Sequence, residues 1–246
     1  LEVDHSDHGL GAVYKGLAVG KVGTQTLLYA ANFRAGTVEV YDTSFNLVDT
    51  IVDPKVPKGY APFNVQVLNT PGGPKLFVAF GLQDSSKHDD VAGIGHGFVD
   101  EFNLDGTGRQ RVASHGVLDS PWGLDIAPSS FGRFAGDLLV GNFGNGEINV
   151  FNPTSHKFLG TLDGVNGKPF HAGDLWALTN GGSGLDGDSN TLFFTAGLKD
   201  EMHGLFGTLT PTIANIPEPA SLSLLLTGLG ILGWRHKRGR GRSRSR

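Results

Sequence analysis

One pattern recurs four times and limits the fold more than any other feature of the chain. The runs LLYAANF (27–33), KLFVAFG (75–81), DLLVGNFG (137–144) and TLFFTAG (191–197) are apolar stretches of strand length. Each follows a second short apolar segment, namely KGLAVG (15–20), FNVQVL (63–68), WGLDIA (122–127) and LWALTN (175–180). Each precedes an alternating one: GTVEVYD (36–42), GFVDEFN (97–103), GEINVFN (146–152) and HGLFGTLT (203–210). A fourth run closes three of the units, LVDTIV (47–52), RQRVAS (109–114) and KFLGTL (157–162). With Leu17, Val65, Leu124 and Trp176 taken as equivalent, the spacings are 48, 59 and 52 residues. Four strands in roughly 50 residues make one blade of a β-propeller, a small sheet that buries its faces by stacking on its neighbours. The alternative, a β-sandwich with irregular turns, has no need of a fixed period.

The expected fold is therefore all-β: about four propeller blades within residues 1–212, part of a six-bladed ring, with a hydrophobic helix at the C-terminus. The 38 glycines fit many short strands joined by tight turns. The first two strands of each blade are expected to be buried on both faces, and the third to alternate. Val38, Val40, Phe98, Phe102, Ile148 and Val150 form its inward half. Asp42, Asp105 and Asn152 open turns, and Trp122 and Trp176 fill space between blades. The chain starts at Leu1 without a leader-like segment, so about two blades and a signal peptide are expected to precede it.

The last thirty residues differ from the rest. Seven basic residues lie between Arg235 and Arg246, which leaves residues 1–216 with 13 basic and 23 acidic side chains, a net charge of −10. An acidic body argues against a phosphate-binding surface, so nucleic acid is not an expected partner. With no cysteine, disulfides, thiolate chemistry and cysteine zinc sites are excluded. The apolar run 220–234 is short for a membrane span, yet the basic segment 235–246 behind it reads as a stop-transfer signal with a cytoplasmic end. A disordered RNA-binding tail and a buried C-terminal helix are the alternatives. The linker 213–219 carries Pro217, Glu218 and Pro219, and the basic block opens with Arg235, Lys237 and Arg238.

That order of triplet, apolar run and basic block resembles the PEP-CTERM sorting signal of exported bacterial proteins. The resemblance implies export, processing by an exosortase-type enzyme, transient anchoring in the inner membrane, release to the periplasm, surface or medium, and association with exopolysaccharide. Physically it is akin to a lipid-anchor signal whose apolar tail is removed. Segments such as YAANFRAGTVEVYD, GYAPFNVQ, KHDDVAGIGHGFVDEF and SPWGLDIAPSSFGRFAGDLLVGNFGNGEINVF are similar to a family of uncharacterised bacterial proteins bearing this tail. That family implies a propeller and supplies no activity.

Chemistry is expected on the face that carries the loops entering each inner strand and the loops joining second strand to third. Two of the latter are long, 82–96 and 198–203. They place Asp84, His88, Asp89, Asp90 and His96 on one face with Asp200, Glu201 and His203, while the inner-strand loops add His115, Asp119, His171 and Asp174. Carboxylates with histidines around a central channel suit Ca²⁺ or another divalent cation. The competing explanation is solvated loops whose Asp residues cap turns. Asp186, Asp188 and Asn190 lack the spacing and terminal Glu of an EF-hand and read as a turn. GGSG (181–184) is no nucleophile elbow, since Leu185 follows it, and GIGHG (93–97) lacks the strand-to-helix setting of a phosphate loop. Two functions remain open. One is a binding or scaffold module for extracellular polysaccharide, favoured by scattered carboxylates and exposed aromatics. The other is a metal-dependent hydrolase or lactonase, favoured by convergence of Asp90, Glu201 and a histidine.

Overall fold

The computed structural model describes residues 2–5, 11–165, 167–182, 184–199 and 201–211. The linker, the apolar run and the basic tail expected after residue 211, and Asp200, lie outside them. The described residues form four antiparallel sheets in chain order. Blade 1 contains β1 (Tyr14–Val22), β2 (Gln25–Asn32), β3 (Thr37–Tyr41) and β4 (Leu47–Ile51). Blade 2 contains β5 (Tyr60–Thr70), β6 (Gly73–Leu82), β7 (Phe98–Phe102) and β8 (Gln110–Ser114). Blade 3 contains β9 (Pro121–Ile126), β10 (Leu138–Asn142), β11 (Ile148–Phe151) and β12 (Phe158–Thr161). Blade 4 has three strands, β13 (Leu175–Asn180), β14 (Leu192–Leu198) and β15 (His203–Leu209). Within each sheet the strands are hydrogen-bonded in sequence order, and the first strands of successive blades touch one another, β1 to β5, β5 to β9 and β9 to β13. The architecture is all-β and propeller-like. No helix among the described residues is long and apolar enough to cross a membrane.

The apolar second strands make the seams. Tyr29, Ala31, Val38 and Val40 of blade 1 pack with Val65, Leu76 and Val78 of blade 2 in one buried cluster. Phe77, Ala79 and Val99 of blade 2 pack with Leu124, Leu138 and Val140 of blade 3 in another, and Leu139, Ile148 and Val150 of blade 3 with Leu175, Leu178 and Phe194 of blade 4 in a third. The first strands approach so closely that side chains are excluded at two points. A Cβ on Gly16 would lie 2.0 Å from Asn64 Oδ1, and one on Gly123 would lie 2.8 Å from the Trp176 carbonyl oxygen.

Three expectations are corrected. Register makes Leu178 the blade-4 equivalent of Leu17, Val65 and Leu124, because each pairs with the same position of its second strand (Ala30, Val78, Val140 and Phe194); Trp176 sits two residues earlier. The first strands are not buried throughout: β1 and β13 both carry exposed positions, and those of β1 include Leu17 and Val19, on a face against which no described blade of this chain packs. The third strands do not alternate in burial either, for every residue of β7 and β11 is buried. A blade covered on both faces leaves its third strand no solvent side, so the polar residues there are satisfied internally. Asn32, Tyr14 and Tyr41 donate to Glu39. Arg109 and Arg111 donate to Asp100. Thr161 donates to Asn149, which donates to the Val117 carbonyl. Burial and the adjacent Asp53 push Asp100 up to about 7 although Arg111 opposes them. Burial would raise the Glu39 carboxyl, but the three hydrogen bonds outweigh it and hold its pKa below the usual value.

The turn assignments are found as expected. Asp42 accepts from the Ser44 and Asn46 amides, Asp105 from that of Thr107, and Asn152 from those of Thr154 and Ser155. Asp186 and Asp188 likewise accept from Gly184 and Asn190 two residues away.

Candidate functional site

At the point where each inner strand begins, the pairing with the second strand is irregular. The register shifts between Tyr14 and Leu17, between Pro62 and Asn64, at Gly141/Asn142 opposite Pro121 and Gly123, and between Leu175 and Leu178. Such a bulge leaves a residue unpaired and re-aims its side chain. The residues so released include Lys15, Phe63, Trp122 and Trp176, each two positions before Leu17, Val65, Leu124 and Leu178 and so at the same axial end of the blades, with Gly16 and Ala177 also out of register. Two of the entries also carry left-handed backbone at non-glycine residues, Ser120 (φ 45°) and Asp174 (φ 50°), each two positions before its tryptophan. Held strain of this kind concentrates at working sites.

The released rings meet. The Phe63 and Trp122 centroids are 4.7 Å apart at 85°, those of Trp122 and Trp176 4.5 Å apart at 88°. The second-to-third-strand turns add Phe143, 4.6 Å from Trp176, and Phe33, 5.4 Å from Phe63. Edge-to-face contacts at these distances suit the ring quadrupoles. Phe33 and Phe63 are buried beneath, while Trp122, Phe143 and Trp176 keep partial access to solvent. Lys15 Nζ lies 5.9 Å from the centroids of both Phe33 and Phe63, within cation–π reach. Beside this cluster a cavity of about 270 Å³ runs along the first strands, lined in part by Lys15, Asn64, Gln66, Trp122 and Ala177.

Polar groups rim the rings. Lys15 donates to Asp89 Oδ1 at 2.8 Å, and Trp176 Nε1 donates to Glu201 Oε1 at 2.6 Å. Asp89 is held below the usual carboxylate range by Lys15 first and His88 second. Asp90 behaves oppositely: burial raises its pKa, with Ser120 and Lys15 opposing. Its Oδ2 and the hydroxyl of fully buried Ser120 both lack a well-formed hydrogen bond.

The expected site residues thus separate into roles. Asp84 is a turn former, accepting from Ser86 Oγ and the His88 amide. His96 Nδ1 donates to the Val91 carbonyl, and its backbone bridges to Asp119, which accepts from the Gly93 amide at 2.7 Å; together they fold the long loop back onto blade 3. His115 packs edge-on against Phe98 with its Nδ1 on the Gly95 carbonyl. His88, Asp89 and Asp90 reach the Lys15 corner, Glu201 reaches the Trp176 corner, and exposed His203 lines a cavity of about 550 Å³ on blade 4 together with Trp176 and Glu201. Exposed His171 stands apart from these contacts. Among the described residues no three His, Asp or Glu side chains are grouped so as to hold a metal ion. The aromatic cluster and Lys15 were not anticipated as a site. The available signal was the repeated bulky residue at the start of each inner strand, in YKGL, PFNV, PWGL and DLWAL.

No family model matches the sequence. An uncharacterised protein of Acanthamoeba polyphaga mimivirus is 32% identical over 204 residues, taking in 80% of this chain and 48% of the relative. The chain spans about half the length of the curated relatives it matches. These come from a virus, whereas the tail and body resemblance pointed to bacteria. Among solved structures, an exo-β-1,3-galactanase from Phanerochaete chrysosporium superposes with a TM-score of 0.56 at 9% identity over 87% of this chain and 51% of that one. An α-L-arabinanase from Penicillium chrysogenum does so with 0.55 at 13% over 81% and 58%. At these identities the likeness is one of fold.

Proposed function

We propose that the bulge-bearing end of the arc is a glycan-binding face and that the chain is an exported, surface- or matrix-associated binding module. The observation that carries this is the aromatic cluster. Four blades deliver a residue to one place through the same bulge, and the result is two partly exposed tryptophans and a phenylalanine rimmed by Lys15, Asp89, Asp90 and Glu201. Ring faces stack on the apolar faces of sugars while the rim exchanges hydrogen bonds with hydroxyls, the usual division of labour in a ligand site. Scattered carboxylates beside accessible rings favour this over a metal-dependent hydrolase. Export rests on the tail resemblance, with an exosortase-type enzyme as processing partner and exopolysaccharide as ligand.

The test is native affinity electrophoresis in gels cast with neutral polysaccharides (arabinan, galactan and a soluble β-glucan) or with anionic alginate. Retardation by at least one neutral polymer, reduced about 5- to 30-fold in apparent affinity by Trp122→Ala or Trp176→Ala, is expected, since each stacked ring contributes on the order of 1–2 kcal/mol. No retardation in any gel, or retardation that both variants keep, would refute the reading. A second reading, hydrolysis of the bound glycan, is favoured by one group: Asp90, whose raised pKa and unpartnered oxygen beside Ser120 suit a carboxyl that carries a proton. It requires release of reducing ends by the wild type and its loss, with binding kept, in Asp90→Asn.

A further inference from the structure

The blades can be compared position by position, and two of the eight blade faces do not behave like their equivalents. Leu17, Val65, Leu124 and Leu178 occupy one register position of the inner strand. In blades 2, 3 and 4 this residue points at the preceding blade and is 0%, 1% and 3% exposed, whereas Leu17 is 59% exposed. Val38, Val99, Ile148 and Phe206 occupy one position of the third strand, opposite Ala31, Ala79, Gly141 and Thr195. In blades 1, 2 and 3 this residue points at the following blade and is 1%, 0% and 0% exposed, whereas Phe206 is 68% exposed. Val19 joins Leu17 on the first face, and Met202, in the turn before β15, is exposed as well. The repeat thus supplies at both ends of the arc an apolar surface of the kind that elsewhere meets a blade.

We propose that the outer faces of blade 1 and blade 4 are inter-blade seams, and that their occupants are further four-stranded blades of the same polypeptide, closing the six-bladed ring expected from the sequence. What covers the equivalent face is known three times over for each side: the strands of a neighbouring blade, joined by residues of its loops such as Leu104, Leu118 and Ala172. The curated relatives that align with 80% of this chain are about twice as long, which leaves room for such blades. Exposed contiguous apolar patches of this sort mark contact surfaces.

These 246 residues contain no cysteine, so single thiols placed in them report cleanly once any cysteine elsewhere in the polypeptide is replaced by serine. Leu17→Cys and Phe206→Cys would be placed in the protein as its own source produces it, with Thr154→Cys as an exposed control and Val99→Cys as a buried one, and maleimide labelling rates measured at several protein concentrations. Both test sites are expected to label at least tenfold more slowly than Thr154→Cys at every concentration. Labelling at the control rate would overturn the proposal, as would protection that disappears on dilution, because a second copy would then be the occupant. If a variant fails to fold, carbene footprinting of the unsubstituted protein reads Leu17 and Phe206 directly, with protection supporting the seams and modification refuting them.

Discussion

The seam between blades 2 and 3 and the outer face of blade 1 are built from the same repeat, yet only one is a core. Leu124 on β9 sits among Phe77, Ala79, Leu138 and Val140, while Leu17, its equivalent on β1, projects into a cavity that it shares with Leu28, Ala30, Tyr41 and the N-terminal Glu2 and Val3. Residue type and strand position are alike, so the difference comes wholly from the neighbour. In a repeat architecture each blade is stabilised by its interfaces, and stability is close to a sum over nearest neighbours. Burial in such a chain belongs to the pair of blades and not to the residue.

The largest expected effect follows directly. Leu124→Ala should cost about 3 kcal/mol, the transfer term plus the cavity left in a packed seam, whereas Leu17→Ala should cost under about 1 kcal/mol, since most of that side chain is already in water. Urea denaturation of the 246-residue chain measures both. Equal costs would mean that the two positions share an environment and would break the comparison. A cost for Leu17→Ala that rises to the Leu124→Ala value in a longer form of the protein would sharpen it.

The sequence made one half of this comparison legible. Four apolar second strands with shorter partners on either side placed the strands to within a few residues, because continuous burial and alternation both leave marks in residue order. It misled wherever a polar residue was counted as facing water. Glu39, Asp100 and Asn149 break the apolar pattern of their strands, and residue order does not show that two arginines ten residues onward, or two tyrosines, will meet them in the interior. The bulges at Lys15, Phe63, Trp122 and Trp176 were invisible for a related reason: one unpaired residue changes where a side chain points without changing the local composition. Loop 82–96 was correctly singled out as unusual, but its acidic residues divide into a turn former, Asp84, and two that reach the Lys15 corner.

Asp125 carries the comparison to charge. It lies on β9 with Oδ2 buried and unpartnered, and burial pushes its pKa up to about 6 although the Ile126 and Asn180 amides oppose the shift. The unfolded chain ionises this group near 3.8. Between about pH 4 and pH 6 the folded state therefore holds a proton on Asp125 that the unfolded state has lost, and the contribution of this group to stability falls as pH rises and levels off above about 6. Asp125→Asn should remove its share of that slope, leaving the share of Asp100, and be more stable than wild type at pH 7.5 by about 3 kcal/mol, each pKa unit being worth about 1.4 kcal/mol. Melting curves from pH 3.5 to 8 check it, and a variant that keeps the wild-type slope would show that Asp125 is solvated and that the interior of blade 3 imposes no charge penalty.

The smallest effect belongs to Asp89, the exposed counterpart. Its side chain is 62% exposed and pairs with Lys15 at 2.8 Å. Because its folded pKa lies below the unfolded value, the pair stabilises above the unfolded pKa and its contribution is lost as pH falls through the folded one. Solvent screening limits that contribution to under about 1 kcal/mol. Asp89→Asn should therefore lower stability slightly at pH 7 and low salt, match wild type in 1 M NaCl where the Debye length is about 3 Å, and match it again once the pH has fallen below the folded pKa of Asp89. A loss well above 1 kcal/mol that salt does not diminish would place the Lys15 corner among the tightly held parts of the molecule. Blade 1 would then be anchored at the aromatic end of the arc as firmly as blades 2 and 3 are along their seam, and the contrast between covered and uncovered faces would be confined to the β1 surface around Leu17 and Val19.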